Sequence, residues 1–527
     1  MKVFRCYVVC CSLFTALTFG SLAQASPEEY FGIHIVDDQT GRGVPLVKLQ
    51  TTSKIRYITD SNGYVAFLEP GLMDQDVYFG ISSWGYEAKE MGFGFRGAVL
   101  HTTPGKEMEI KIHRLNIAER MYRLTGEGIY RDTVLLGKTP PIQHPLLDGK
   151  VMGSDTVETA VYRGKMYWFW GDTDCPNFPL GLYSTSGATS LLPAKLDLDR
   201  GIDYTYFVNP KSGFARAMIK VDSTESQPIW VDGMMVVPDQ SNQEHMLCHF
   251  VRTKNLKVQE QGIAVFNDTK EIFEQAAINP LGNLLEPGGR PLRAMSNGKT
   301  YYYFPGPFLT KRVLADFEHA KDISTYEGFT CLKPGTDWSE GRSQVNRDDK
   351  GRLIWRWQVG ATPIGREQFS ELVKDGLVKA DESPYEMKDV EHGKAIRAVE
   401  VTVGWNPFLK KWTLLCGQSG GDSNLGEIWL AVGNSPQGPW SPARKVATHA
   451  MKNDNNDFYN PTQHPEFMQK NGRIIYFEGT FVTTFSGNPV PTPRYDYNQI
   501  LYCIDLSDPR LALPEPPAGL TDTQPAP

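Results

Sequence analysis

Ser154-Asp155-Thr156-Val157-Glu158-Thr159-Ala160-Val161-Tyr162-Arg163-Gly164-Lys165-Met166-Tyr167-Trp168-Phe169-Trp170-Gly171-Asp172-Thr173 reads as a β-hairpin. Alternating apolar residues flank Arg163-Gly164, and a two-residue turn there pairs position i with position 327 − i. In that register Asp155 stands opposite Asp172 at the open end. Facing carboxylates destabilise a strand pair. Two acids that share a proton are a common acid–base device, which gives the pair a chemical reason to exist. A slip of one residue would turn one aspartate to the other face.

The same pattern recurs along the chain. Strands separated by tight Gly turns, the second often rich in aromatics, centre near 155–172, 230–251, 292–305, 341–358, 396–416 and 464–480. Five of these units are clear, and the one near 341–358 is weak. Spacings of roughly 50–75 residues suit propeller blades of about four strands. The expectation is an all-β chain with a β-propeller over 151–510, five blades favoured over six. A small β-sandwich precedes it at 28–115. Residues 116–150 read as a connector beginning with a helical turn. A short helical insertion falls at 366–379, and 511–527 reads as a Pro-rich, disordered tail.

Composition excludes several function classes. The 527 residues carry a net charge of −7, with 22% charged and 40% hydrophobic residues. No basic surplus points to nucleic acid. No run of about 18 apolar residues follows the N-terminus, so no membrane span is expected. Residues 1–25 read as a signal peptide: Lys2 and Arg5 precede an apolar stretch at 7–19 and the small-residue site Ala23-Gln24-Ala25. The protein is therefore expected to be periplasmic or secreted. Beyond that leader stand Cys175, Cys248, Cys331, Cys416 and Cys503, an odd and sparse set that reads as buried core residues rather than a disulfide framework.

Candidate site residues follow from the propeller. The innermost strand of each blade lines the central channel, so polar residues at the starts of these strands share one funnel. They include Asp155, Glu158, Trp230, Asp232, Arg290, Arg293, Arg397, Glu400 and Asn460. A turn at Asn471-Gly472 sets Pro465 opposite Glu478, with His464 and Glu466 beside them. Asp155 and Asp172 are assigned catalytic roles, with Glu466 and Glu478 as reserve acids. Glu158, Trp230, Asp232, Arg293, Arg397, Tyr459 and His464 are assigned to substrate binding. Carboxylates and arginines hydrogen-bond hydroxyls, and aromatic faces stack on sugar rings. A pair of carboxyl groups is the equipment of glycoside hydrolysis. No cofactor or metal ion is required; the polar run Asn453-Asp454-Asn455-Asn456-Asp457 is the one place where structural calcium is considered, and it lacks calcium-loop spacing.

Two resemblances sharpen these expectations. Asp38-Gln39-Thr40-Gly41-Arg42-Gly43-Val44-Pro45, Thr59-Asp60-Ser61-Asn62-Gly63-Tyr64 and Gly85-Tyr86 resemble the carboxypeptidase regulatory-like (transthyretin-like) domain, mostly an accessory module beside enzymes. Gly153-Ser154-Asp155 with Tyr167-Trp168-Phe169-Trp170-Gly171-Asp172-Thr173 resembles the opening of five-bladed propellers that include bacterial endo-D-arabinanases. Ser435-Pro436-Gln437-Gly438-Pro439-Trp440 and Tyr459-Asn460-Pro461 are similar to later elements of that family. This resemblance implies a glycoside hydrolase with Asp155 and Asp172 as acid and base; residues 364–391 have no counterpart in it.

The expected function is an exported, polysaccharide-active glycoside hydrolase with a polysaccharide or oligosaccharide as partner. Two alternatives stay open. A polysaccharide lyase would use His464, Tyr459 or Tyr495 with Arg397. A non-catalytic carbohydrate-binding or cell-surface protein would bind without turnover.

Overall fold

The computed structural model describes residues 25–221, 228–336, 338, 344–451, 457–483, 494–521 and 523–526. The signal peptide and most of the polar run at 453–457 lie outside the described residues.

The opening hairpin forms in the expected register. Val157 pairs with Trp170 and Tyr162 with Lys165, and beyond the open end Ser154 pairs with Thr173. Arg163 (φ 47) and Gly164 (φ 76) are both left-handed, which is the two-residue turn whose twist matches the strands.

Among the described residues, five sheets each begin with a strand on a common channel. The first runs outward from Val157–Tyr162, the second from Ile229–Pro238, the third from Leu292–Ser296, the fourth from Ala398–Asn406 and the fifth from Asp457–Gln463. Residues of all five inner strands, among them Thr159, Val236, Arg293, Gly404 and Gln463, line one cavity of about 910 Å³. The fold is a β-propeller.

Hydrophobic burial explains why the ring holds. Each pair of neighbouring sheets shares a core. Phe169 packs with Phe250 between the first and second, and Val237 with Phe304 between the second and third. Tyr303 meets Trp412 between the third and fourth, Leu430 meets Phe477 between the fourth and fifth, and Trp168 meets Tyr476 where the fifth returns to the first. Both faces of these strands are buried, so their sequences are apolar on both sides rather than cleanly alternating.

Four expectations are corrected. The weak unit near 341–358 supplies, in its described part, only Arg356–Val359, the outermost strand of the third sheet. The supposed connector contains Glu119–Arg123, which is no helical turn but the outer strand of the fifth sheet, paired to Asn498–Asp505. Arg120, Met121 and Tyr122 are buried there, and that burial rewards the strand. The segment read as a disordered tail is ordered where described. Leu511 and Thr523 are buried, and Gln524–Pro525 pairs with the channel-side edge of Leu292–Ser296 as a short edge strand, a position where Pro is tolerated. In the last hairpin Thr462 faces Glu478 and Gln463 faces Phe477. Pro465–Phe467 turns as a 3-10 helix and lengthens the connection, so Pro465 does not oppose Glu478.

Residues 31–114 form two sheets over one core. Phe31–Asp37, Tyr64–Phe67, Tyr86–Glu87 and Glu107–Arg114 build one sheet, and Lys48–Thr51, Arg56–Ile58, Asp76–Ser82, Glu90–Gly92 and Phe95–His101 the other. Ile33, Phe67, Leu49 and Phe79 meet between them. Trp84 ties this unit to the propeller. It stacks on Phe481 with ring centroids 4.7 Å apart, donates to Tyr502 Oη at 3.1 Å, and lies under the Arg120 guanidinium at 4.1 Å. Among the described residues no helix is long and apolar enough to cross a membrane.

Candidate active site

The inner strands start at one mouth of the channel, and each bends there. Thr156, Gly233, Gly289, Glu400 and Asn460 all take left-handed φ values, between 48° and 63°. Register shifts accompany three of them, at Asp232/Met235, Val399/Thr402 and Tyr459/Thr462. A non-glycine residue in that conformation costs ~1 kcal/mol or more, and such strain persists where the surroundings enforce it. Bulges of this kind re-aim side chains.

Hydrogen bonds between blades enforce these bends. Asn460 Nδ2 donates to Thr156 Oγ1, and Asn460 N donates to Glu400 Oε2 at 2.5 Å. Gly233 N donates to the Gly289 carbonyl at 2.8 Å, while Gly289 N donates to Asp232 Oδ2 at 2.9 Å. Arg290 Nε donates to the Val157 carbonyl at 3.0 Å.

Asp155 and Asp172 are half-buried at this mouth. Asp155 N donates to the Asp172 carbonyl at 3.2 Å, and Asp172 N returns a bond to Asp155 Oδ1 at 3.0 Å. Tyr459 Oη donates to Asp155 Oδ2 at 2.9 Å, and the Tyr497 hydroxyl also donates to this carboxylate. Burial raises the Asp155 carboxyl above its ordinary value, and these donors oppose the rise. Among the described residues, the side-chain donor to Asp172 is Trp230 Nε1, at 2.7 Å from Oδ1. Burial pushes Asp172 up to about 6; the Trp230 indole opposes the shift and the Asp155 charge adds to it. The environments of the two acids therefore differ: one is an acceptor for three donors, the other holds a proton into mildly acidic pH.

Trp230 and Tyr459 are thus brought to the aspartate pair. Asp232 lies at the same mouth in the second blade, fixed by His249 Nδ1 at 2.7 Å and by Gly289 N. His249 is raised to about 9: burial opposes the charge, but Asp232 and Glu286 outweigh it. Glu158, one turn of the pleat inward, is buried, and burial lifts it to about 8. Arg290 Nε stands 3.9 Å from Glu158 Oε1 and partly offsets that rise.

Other expected residues lie elsewhere. Glu478 and His464 have no exposure at all. His464 Nε2 is 3.2 Å from Glu478 Oε1 and its Nδ1 is 3.5 Å from Glu466 Oε1, and its ring lies 5.8 Å from that of Trp168. Glu466 reaches the far half of the channel, where Thr159 Oγ1 donates to it at 3.2 Å. His464 and Glu478 form a packed joint between the first and fifth blades, with Glu466 on its channel side, and among the described residues none of the three hydrogen-bonds to Asp155 or Asp172; the changed register of the last hairpin turns them there. Arg293 is exposed on the wall of the channel cavity, which Glu158 and Arg290 also line, and Arg397 is exposed beyond its strand's start. Among the described residues no group of three or more His, Cys, Asp or Glu is placed to hold a metal ion.

Tyr497, His249 and Glu286 belong to this end of the molecule without a signal in the opening motif. Glu400 carried one, its place at a strand start, but its left-handed backbone is invisible in sequence.

No protein-family model and no curated protein matches this chain. Solved structures similar to it include an exo-1,5-α-L-arabinanase from a bovine ruminal metagenomic library, at 11% identity over 68% of this chain and 94% of that one, with a TM-score of 0.32. An exo-β-1,3-galactanase from Phanerochaete chrysosporium aligns at 9% identity over 78% and 71%, with a TM-score of 0.33. An α-L-arabinanase from Cellvibrio cellulosa aligns at 10% over 65% and 90%, with a TM-score of 0.31. Likeness at this level says nothing of substrate or activity, and the fold rests on the sheet order and shared cores above.

Proposed function

We propose that this chain is an exported, polysaccharide-active glycoside hydrolase in which Asp172 is the general acid and Asp155 the base or nucleophile. The observation that carries this reading is the unequal pair: Asp155 faces Asp172 with its oxygens held by Asp172 N–H, Tyr459 and Tyr497, while Asp172 is raised to about 6. A proton retained on Asp172 passes to the leaving glycosidic oxygen. The Asp155 carboxylate then activates water or attacks the anomeric carbon, according to the separation at which substrate seats. The half-buried Trp230 ring, fixed through its indole N–H, offers a face for a sugar ring. No cofactor enters this chemistry.

The two-sheet unit at 28–115 fits an accessory module of the carboxypeptidase regulatory-like type and is assigned no chemistry. The leader at 1–25 supports export to the periplasm or medium. A lyase reading loses its histidine, because His464 is fully buried. The test is reducing-end release from a panel of arabinans, galactans and other bacterial or plant glycans. Asp172→Asn and Asp155→Asn are each expected to lose at least about a thousandfold in kcat; no release from any glycan by the parent chain supports the non-catalytic alternative.

A further inference from the structure

A carboxylate in the fourth blade lies one hydrogen bond away from the turn that aims Tyr459. Glu400 Oε2 accepts from Asn460 N at 2.5 Å. Both residues are left-handed, at φ 53° each, and both sit at register shifts in neighbouring inner strands. A backbone N–H released from its ladder by a bulge needs another acceptor, and Glu400 supplies it from a different blade.

Two arms leave Asn460 for the first blade. The preceding residue, Tyr459, donates its hydroxyl to Asp155 Oδ2 at 2.9 Å. The Asn460 side chain donates to Thr156 Oγ1, next to Asp155 in sequence. Thr156 N in turn donates to Thr480 Oγ1 at 3.1 Å, and Gln499 Nε2 ties Thr480 to the Ser154 carbonyl with bonds of 2.8 and 3.2 Å. One arm thus holds the carboxylate of Asp155 and the other its backbone, and both pivot on the peptide that Glu400 accepts from. Arg290, which donates to Val157 of the first blade, also acts on Glu400 electrostatically.

We propose that Glu400 is a positioning residue for the Asp155–Asp172 chemistry: it fixes the Tyr459-Asn460 turn and, through it, the orientation of the Asp155 carboxylate. The role needs an acceptor at this point. Glu400 acts through Asn460 N rather than by a hydrogen bond to Asp155. The inference rests on the function proposed above.

The experiment compares Glu400→Ala, Glu400→Gln and the parent chain, using the glycan that the parent cleaves and a crystal structure of each variant. Glu400→Ala is expected to lose about tenfold or more in kcat with KM within about threefold, and its Tyr459 Oη–Asp155 Oδ2 distance is expected to open beyond about 3.5 Å. Glu400→Gln keeps an acceptor and is expected to recover most of the turnover and the 2.9 Å bond. If Glu400→Ala does not fold, Glu400→Asp takes its place; one methylene shorter, it is expected to show the same loss. Parent-like kcat together with an intact Tyr459–Asp155 bond in the shortened variant overturns the proposal, as does a Gln variant as impaired as Ala. Failure of the underlying function is told apart by Asp155→Asn: if that variant is fully active, the site reading falls, whereas an inactive Asp155→Asn beside an unaffected Glu400→Ala removes Glu400 alone. The crystallographic distances answer without any turnover.

Discussion

Tyr459 of the last inner strand donates its hydroxyl to Asp155 Oδ2 of the first at 2.9 Å, across the joint where the propeller ring closes. Residues 304 positions apart in sequence are thus adjacent in the site. The bond holds Asp155 as an acceptor, and it lowers a carboxyl that burial raises. Removing the hydroxyl in Tyr459→Phe therefore raises Asp155 further. The acid limb of the pH profile of kcat/KM is expected to move to higher pH, with kcat down by about tenfold. Tyr497→Phe acts on the same carboxylate and is expected to move the limb the same way. The double variant should fall short of the sum of the two, since the hydroxyls share one acceptor.

Trp230 works in the same direction on the other acid. Its indole N–H favours ionised Asp172, so Trp230→Phe raises the carboxyl from about 6. If Asp172 must be protonated to act, the alkaline limb of the profile lies near that value and moves up in the variant, by roughly half to one pH unit. A rate profile over pH 4–9 checks it. An alkaline limb that stays put, or moves down, removes Asp172 from the acid role.

Glu158 gives a stability prediction of definite sign. Its folded pKa is about 8 against an ordinary 4.5, because burial disfavours the charge. A group raised in this way supports the fold fully below pH 4.5 and loses that contribution as pH rises through about 8. Glu158→Gln removes the titration. Relative to the parent, the variant is expected to gain stability between pH 5 and pH 9, on the order of a few kcal/mol. Melting temperatures of both chains at those pH values measure the difference.

His449 predicts the opposite dependence. Buried between the Gly426 carbonyl, to which Nδ1–H donates at 2.7 Å, and the Tyr502 hydroxyl at 2.9 Å from Nε2, it is pushed down to about 3. Its contribution is present above pH 6.5 and is lost as pH falls toward 3. The parent is expected to lose thermal stability across that window more steeply than His449→Gln, whose amide can serve both partners and does not titrate. Equal slopes for the two chains contradict it.

Much of the propeller was legible because blade strands are buried on both faces and carry tight turns at their tips. Arg163-Gly164 defines the first register by itself, and with it the opposition of Asp155 and Asp172. Asn471-Gly472 looked equally informative and misled. It does turn, with φ values of 54° and 81°, but it closes a connection already lengthened by the 3-10 turn at Pro465, so Glu478 and His464 rotate into the joint between blades. Glu119–Arg123 escaped notice because a closing strand pairs with a sheet almost 400 residues away, and no local pattern encodes that. The channel-side edge at Leu292–Ser296 attracted Gln524–Pro525 for a similar reason: an unpaired edge is a tertiary fact. Within the site, Asp155 and Trp230 followed from strand starts, Asp172 from the register of the opening hairpin, and Tyr459 from the Tyr459-Asn460-Pro461 motif. The left-handed bends at Thr156, Glu400 and Asn460 did not, since none is glycine and only contacts between blades enforce them.

The measurement that bears most directly on the unequal acid pair is the pH dependence of glycan cleavage by Asp172→Asn beside the parent. The parent is expected to show an alkaline limb near pH 6 in kcat/KM. Asp172→Asn is expected to lose that limb together with at least about a thousandfold of its rate toward poor leaving groups, and to keep much more of its rate toward a nitrophenyl glycoside, whose departure needs no proton. Full cleavage of the natural glycan by Asp172→Asn, with the alkaline limb unchanged, would contradict the account.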